Sequence, residues 1–448
     1  MTEANASTQG VRPRRGLARV PWLVWVACLL ALLVRLASVQ FYYGWETRPR
    51  KDGVDYDALA WNLAQGHGYR LFPDQPSAWR PPGYPAMLGL LYRVFGHRYT
   101  APRVAQCLLG AATVVVLFLL AQRLAGAAAG TVAAWIAALY PPFIALTGRF
   151  YGETLYILAV LLMGLAFVRW QRDGPKAAAL LGLTTGVAIL MRPNLTMFPL
   201  LALLALGIAG WPRRRVLREG LIVLGVCAAC VLPWTIRNYV VLRAFVPVST
   251  NGGVTLFISN NPWSVGGGSF DWAIVGWPVR EAEAKFRALG IERPADDLPS
   301  GINYWKELGE VGSDRRYTEL ALSWIRADPG AFVRLIPRKL GKLFTLGVVT
   351  AEPGIERYEW LHAMSYGPVA VLALVGLLLS FRQWRHWLVC YAVMVPFIIS
   401  ACIFYGSPRM RVPMDPFLIV LASFALCGAW ERATARRGRS PGPDACDP

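Results

Sequence analysis

The chain has 448 residues, 55% of them hydrophobic and only 16% charged, where soluble globular proteins carry about 25% charged residues. Its 46 Lys and Arg against 27 Asp and Glu leave a formal charge of +19. A nucleic-acid-binding domain needs a water-facing basic surface, but here the basic residues punctuate long apolar runs. Nucleic acid is therefore excluded as a partner, and the expected class is an all-α integral membrane protein.

In chain order, the first run of about 20 apolar residues, the length a bilayer core requires, is Pro21 to Phe41. Arg12, Arg14, Arg15 and Arg19 precede it. Arg35 interrupts the run and no small-residue cleavage site follows at once, so a retained anchor is expected rather than a signal peptide. Further runs lie at Ala101 to Ala121, Gly126 to Phe143, Thr147 to Trp170, Lys176 to Met191, Leu195 to Gly210 and Gly220 to Ile236. Three more follow at Tyr366 to Phe381, Trp387 to Phe404 and Val412 to Trp430. One helix from Lys176 to Gly210 would be ~50 Å long, too long for a single crossing, so a hairpin with Arg192 at a recessed tip is predicted. About ten transmembrane helices result, with both termini in the cytoplasm. Each loop this parity puts inside is basic, from Arg123 through Arg169, Arg172 and Lys176, Arg213 to Arg218, and Arg382 with Arg385, to the final cluster Arg432 to Arg439.

The predicted organisation is a tail at 1–19, a first span at 20–41 and an outer loop with interfacial helices at 42–100. A six-span module at 101–236, a second outer loop with interfacial helices at 237–365, three spans at 366–430 and a tail at 431–448 complete it. Cys227 and Cys230, one turn apart in a span, read as small packing residues.

Ionisable groups in or beside hydrocarbon cost a few kcal/mol each, so those that are kept call for a partner or a task. Arg35, Arg149, Glu153, Arg192, Arg237, Arg409 and Arg411 are all biased toward the predicted outer side. A short helix from Asp57 to Gln65 is expected in the first outer loop. Asp55 or Asp57 caps it, or serves as a general base at the membrane surface. Beyond it stands Trp79-Arg80-Pro81-Pro82-Gly83-Tyr84-Pro85, leading into an interfacial helix from Ala86 to Phe95. The prolines stiffen the entry, and Arg80 is a candidate for binding a phosphate. A second interfacial helix, Pro329 to Val349, sets Arg334, Arg338 and Lys342 on one face, with a kink expected at Pro337. Ser249 to Gly253 and Ser259 to Trp263 supply amide and indole groups that could meet a sugar.

This constellation resembles the membrane-embedded GT-C glycosyltransferases, specifically glycosyltransferase family 39 and its bacterial aminoarabinose-transferase-like relatives. The residues that carry the resemblance are Asp55-Tyr56, Gly66-His67-Gly68-Tyr69, Arg80-Pro81-Pro82-Gly83-Tyr84-Pro85 and Tyr151-Gly152-Glu153-Thr154-Leu155. Arg192-Pro193, Leu232-Pro233-Trp234 with Arg237-Asn238-Tyr239, and Arg409-Met410-Arg411-Val412-Pro413 complete it. The resemblance implies transfer of a sugar from a polyprenyl-phosphate donor, with inversion, on the periplasmic or extracellular face of the cell's inner (plasma) membrane. It makes Asp55 the catalytic carboxylate, in a chain where an adjacent acidic pair is replaced by Asp55-Tyr56 with Asp52 and Asp57 nearby. Glu153 then orients Asp55 or holds a sugar hydroxyl. Arg80, Tyr84, Arg192, Lys342, Arg409 and Arg411 are expected to bind the donor. No cofactor is required on this reading; a divalent metal between Asp55 and Glu153 is the alternative, for which the sequence supplies no complete shell. Partners are the lipid-linked donor, membrane lipids and an acceptor the sequence leaves open. The rival from another class is a transporter or flippase of lipid-linked saccharides.

Overall fold

In the computed structural model of the protein, the described residues are 20–72, 75–262, 264–267, 303–347 and 359–437. The basic cluster Arg12 to Arg19, Trp263, the end of the predicted helix at Val348 and Val349, Arg439 and Cys446 lie outside them.

The first long loop lies between helices α1 (Trp22–Ser38) and α4 (Thr100–Leu139) and holds α2 (Asp52–Ala64), the short hairpin β1 (Arg70–Phe72) with β2 (Gln75–Pro76), and α3 (Gly83–Phe95). There follow α5 (Pro141–Thr147), α6 (Glu153–Arg172), α7 (Pro175–Met191), α8 (Phe198–Ile208) and α9 (Arg213–Leu242). The second loop contributes α10 (Gly252–Ser259), α11 (Asn303–Ala327) and α12 (Pro329–Leu343). The chain closes with α13 (Glu359–Ser380), α14 (Leu388–Ile403), the single turn α15 (Pro408–Arg411) and α16 (Asp415–Arg437).

Among the described residues six helical stretches are long and apolar enough to cross a membrane, and three more apolar helices are shorter. The 40-residue α4 is broken at Gly126, whose φ of 90° only glycine adopts without strain. The second and third predicted spans fall on either side of that break. Pairing in the bundle follows small residues, as it does where lipid tails give apolar side chains no reason to prefer each other. On α7, a Cβ at Gly182 would sit 2.6 Å from the Val223 carbonyl oxygen, and one at Gly186 would sit 2.6 Å from the Cys230 Cβ. The two glycines, one turn apart, thus bring α7 against α9, and Cys227 and Cys230 are packing residues of that seam.

The predicted hairpin at Arg192 is present. α7 leaves the end of α6 marked by Arg172 and returns to Glu153, whose carboxylate Arg192 meets. α8 then runs back, so that Trp211 lies 6.1 Å from Trp170, ring to ring. Because α6 has 20 residues, those two ends lie about 30 Å apart.

Arg35 is 1% exposed and donates to the carbonyls of Ala138 and Ala137, tying α1 to the end of α4. The two loops meet in a cluster of their own, in which Trp79 packs with Val254, Phe257, Tyr317 and Leu320.

Candidate active site

Helix α2 begins five residues earlier than the sequence pattern predicts. Lys51 precedes it at φ 51°, ψ −130°, a strained conformation for a residue with a Cβ, of a kind that concentrates at functional sites. Asp52 and Asp55 therefore stand in the first turn, where carboxylates suit the positive end of the helix. Neither Asp55 nor Asp57 caps α2. Asp57 accepts from the hydroxyls of Tyr92 (2.6 Å) and Tyr99 (3.3 Å) and pairs with His97 Nε2 (2.9 Å), so it fastens α2 to α3 and the start of α4.

From Asp55 a line of alternating charges crosses five segments: α2, the strap before α3, α15, the start of α6 and the end of α7. Arg80 donates through Nε and Nη2 to Asp55 Oδ2 (3.0 and 2.7 Å) and through Nη2 to Asp52 Oδ1 (2.9 Å). Trp79 Nε1 also donates to Asp55 Oδ2, at 3.0 Å. Arg409 Nη1 donates to Asp52 Oδ2 at 2.5 Å, and its Nε to Glu153 Oε1. Arg192 Nη2 donates to the same Glu153 oxygen. The Arg409 guanidinium also lies 4.1 Å above the Tyr151 ring. Burial pushes the Asp52 carboxyl up, but Arg80 and Arg409 outweigh it and hold the group ionised, well below the usual carboxylate range. The same carboxylates hold Arg80 firmly protonated against its own burial.

Asp52, Tyr56, Arg80, Arg192 and Arg409 form one wall of a cavity of about 240 Å³. Asn194, Asn251 and Thr255 add amide and hydroxyl groups, and Ile403, Phe404 and Met410 an apolar side. Such a cavity has cations for an anion, polar groups for hydroxyls and an apolar lip for a chain.

The structure brings Asp55, Glu153, Arg80, Arg192 and Arg409 together, and it does not bring in the other three candidates. Tyr84 is buried, its hydroxyl donating to Gln106 Oε1 at 3.0 Å. Arg411, 1% exposed, turns into the bundle, where Asp415 accepts from its Nε at 3.0 Å and the carbonyls of Leu343 and Thr345 accept from Nη1. Lys342 is exposed on α12 and does not line the cavity. The buried amine of that helix is Lys339, which donates to Asn260 Oδ1 and to the carbonyls of Cys402 and Ile403.

Glu153 does not touch Asp55; Arg80, Asp52 and Arg409 stand between them. All three carboxylates are engaged by arginines, and among the described residues no group of three or more His, Cys, Asp or Glu is set to hold an ion. The residue the sequence reading undervalued is Asp52. The available signal was its position at the head of α2, hidden by Gly53, a poor helix former. Glycine suits that position because a Cβ would be tightly placed against Phe150 at 3.3 Å and Pro49 at 3.1 Å.

The strap bearing Arg80 is pinned from both loops. Arg237 donates to the carbonyls of Ser77 and Tyr69, and the Tyr69 hydroxyl donates to the Arg80 carbonyl. Glu310 of α11 accepts from the Ala78 N–H (2.7 Å) and the Thr250 hydroxyl (2.5 Å). One turn on, Asp314 accepts from the Gly253 N–H at 2.6 Å.

Burial, with the Glu310 charge adding to it against that hydrogen bond, pushes Asp314 up to about 6. The folded chain thus holds this proton more tightly than the unfolded chain, whose carboxyl titrates near 3.9. Its contribution to stability is present below pH ~4 and is lost as pH rises through about 6. Asp314→Asn, which keeps an acceptor for Gly253, is expected to add about 1 kcal/mol at pH 7 once solvent screening is allowed for. Thermal unfolding in detergent between pH 4 and 8 checks this, and a variant profile as steep as that of the parent counts against it.

Comparison with solved structures identifies the architecture. The apo oligosaccharyltransferase of Archaeoglobus fulgidus is 15% identical and superposes with a TM-score of 0.55 over 93% of this chain and 51% of its own. The archaeal oligosaccharyltransferase AglB from Archaeoglobus fulgidus, in complex with an inhibitory peptide and a dolichol-phosphate, matches at 14% identity and a TM-score of 0.51, over 95% of this chain and 52% of its own. The chain has the GT-C fold. It spans about half the length of these archaeal chains. ArnT from Cupriavidus metallidurans, bound to undecaprenyl phosphate, is 16% identical over 95% of this chain and 82% of its own, with a TM-score of 0.44.

By sequence, residues 79–236 match the family described as dolichyl-phosphate-mannose-protein mannosyltransferase. Within the GT-C fold of this chain that segment carries Arg80, Glu153 and Arg192, and leaves Asp52, Asp55 and Arg409 outside. No curated protein matches the chain by sequence. The GT-C fold and its several apolar helices make this a multi-pass membrane protein.

Proposed function

We propose that the protein transfers a sugar from a polyprenyl-phosphate donor to an acceptor hydroxyl or amine, with inversion, on the outer face of the plasma membrane. The observation that carries this reading is the cavity wall in which an ionised Asp52 stands between Arg80 and Arg409, facing an apolar lip. In the reaction, the acceptor oxygen or nitrogen forms a bond to the anomeric carbon as the bond from that carbon to the phosphate oxygen breaks. The electron pair leaves with the phosphate, and the acceptor proton goes to Asp52, whose basicity rises as the donor phosphate draws Arg80 and Arg409 away from it. A phosphate leaves as a stable anion, so it needs cations where charge accumulates more than it needs a general acid. Arg192, Arg409 and Arg80 are in position to provide them.

This reading transfers the role of base from Asp55, one turn along α2, to Asp52, and makes Asp55 the residue that aims Arg80. Glu153 gathers Arg192 and Arg409 on one carboxylate oxygen at the edge of the cavity. Tyr84 and Arg411 support the fold around the site, and Lys342 takes no part. The outward orientation is supported by the loops predicted to be cytoplasmic, which gather at the opposite end: Arg215 donates to the carbonyls of Trp170 and Asp173 there. The dolichol-phosphate named with AglB is in keeping with a lipid-phosphate donor.

The deciding measurement uses purified full-length protein, a polyprenyl-phosphate sugar and candidate acceptors. Transfer releases free polyprenyl phosphate in step with glycosylated acceptor. A transporter of lipid-linked saccharides would leave the glycosyl–phosphate bond intact, and that result overturns the proposal.

A further inference from the structure

A second cavity, of about 250 Å³, lies at the end of the bundle remote from Asp52. Four separated segments converge on it: the last turn of α6 with Gln171 and Arg172, the turn at Trp211, the turn before α14 with Arg385 and His386, and α4 at Leu124. His386 Nε2 meets the Leu124 carbonyl at 2.8 Å, so the turn that presents Arg385 is fastened to α4.

At the same end the chain neutralises other arginines locally. Arg169 pairs with Asp173 at 3.1 Å, and Arg215 and Arg218 share Glu219 at 3.2 and 3.5 Å. Arg172 and Arg385, the two that line the cavity, have no carboxylate partner among the described residues. Arg123 stands close enough to Arg172 for the two positive charges to act on each other. The floor is apolar, from Leu124 and Val168, and Trp211 borders it. An indole beside arginines over an apolar floor is the combination that suits the headgroup level of a bilayer.

We propose that this cavity binds the phosphate of an anionic phospholipid, a site separate from the one at Asp52. The guanidiniums of Arg172 and Arg385 take the phosphate oxygens, Gln171 and His386 the polar glycerol, and the first carbons of the acyl chains lie against Leu124 and Val168. Basic pockets between helix ends serve anionic lipids in this way. The occupant is a lipid rather than free phosphate because half of the lining has nothing to offer a hydrated ion.

The test titrates dioleoylphosphatidylglycerol into the detergent-solubilised full chain and counts bound lipid by native mass spectrometry. Both arginines are exposed, so Arg172→Gln with Arg385→Gln leaves the core untouched. At about 1 kcal/mol per basic residue near a lipid surface, the double variant is expected to bind roughly 30-fold more weakly. Arg169→Gln, at the same end but outside the cavity, keeps parental affinity, and dioleoylphosphatidylcholine is not retained. Equal loss in Arg169→Gln overturns the site in favour of general surface charge. Full displacement of the lipid by millimolar inorganic phosphate overturns the lipid as its occupant.

Discussion

Asp52→Asn lowers single-turnover transfer by about 10²- to 10⁴-fold, the contribution typical of a positioned proton acceptor, and leaves donor binding within a few-fold of the parent. The amide keeps one acceptor oxygen for Arg80 or Arg409 but cannot take the acceptor's proton. Asp55→Asn provides the internal comparison. Asp55 lies behind Arg80, where Trp79 and both ends of the guanidinium fork already occupy Oδ2. Its loss should therefore loosen Arg80 and raise the donor concentration needed, with a smaller effect on the chemical step. Transfer that survives Asp52→Asn and collapses in Asp55→Asn, with donor binding intact in both, would return the role of base to Asp55.

Glu153→Gln carries the second large effect, and this one falls on stability. Glu153 is 0% exposed and its Oε1 receives both Arg192 and Arg409. Removing one partner of a buried ion pair leaves an uncompensated charge and costs about 3–5 kcal/mol. Here one carboxylate serves two guanidiniums, of which 14% and 20% of the side chain is exposed. Thermal unfolding of purified Glu153→Gln is expected to show a marked drop in midpoint. Glu153→Asp, which retains the charge with a shorter reach, should recover part of it. An unchanged midpoint in Glu153→Gln would mean that the arginines turn to the cavity at no cost, and the supporting role given to Glu153 would fail.

What could be read in the sequence was what depends on long apolar runs and on the expense of charge among them. The helices of the bundle, the break at Arg192 and the gathering of Glu153, Arg192 and Arg409 at one end all follow from those two facts. Arg80 was legible because two prolines fix its approach. What could not be read was direction within a single turn. Arg409 and Arg411 are two residues apart, so on a helical turn they face different ways: one reaches Asp52 and the other Asp415. The sequence pattern offers both as equals. Lys339 and Lys342 pose the same problem on α12, where the exposed amine drew attention and the buried one does the tying. Tyr84 sits in a motif whose neighbour Arg80 points into the cavity while its own hydroxyl is spent on Gln106. Asp52 was obscured for a different reason, because Gly53, packed closely against Phe150, reads as the end of a loop instead of the first turn of a helix.

The cluster of three carboxylates and three guanidiniums has a formal charge of zero. A donor phosphate entering it finds no arginine idle and must exchange places with Asp52 or Glu153 at the guanidinium it takes. Under the proposed reaction the spent lipid carries more negative charge than the donor, because a phosphodiester has become a monoester. A site holding three unopposed cations would bind that product most tightly of all and stall after one cycle. Here the displaced carboxylates wait beside their arginines and compete for them again, which favours departure of the lipid phosphate and readies the cavity for the next donor.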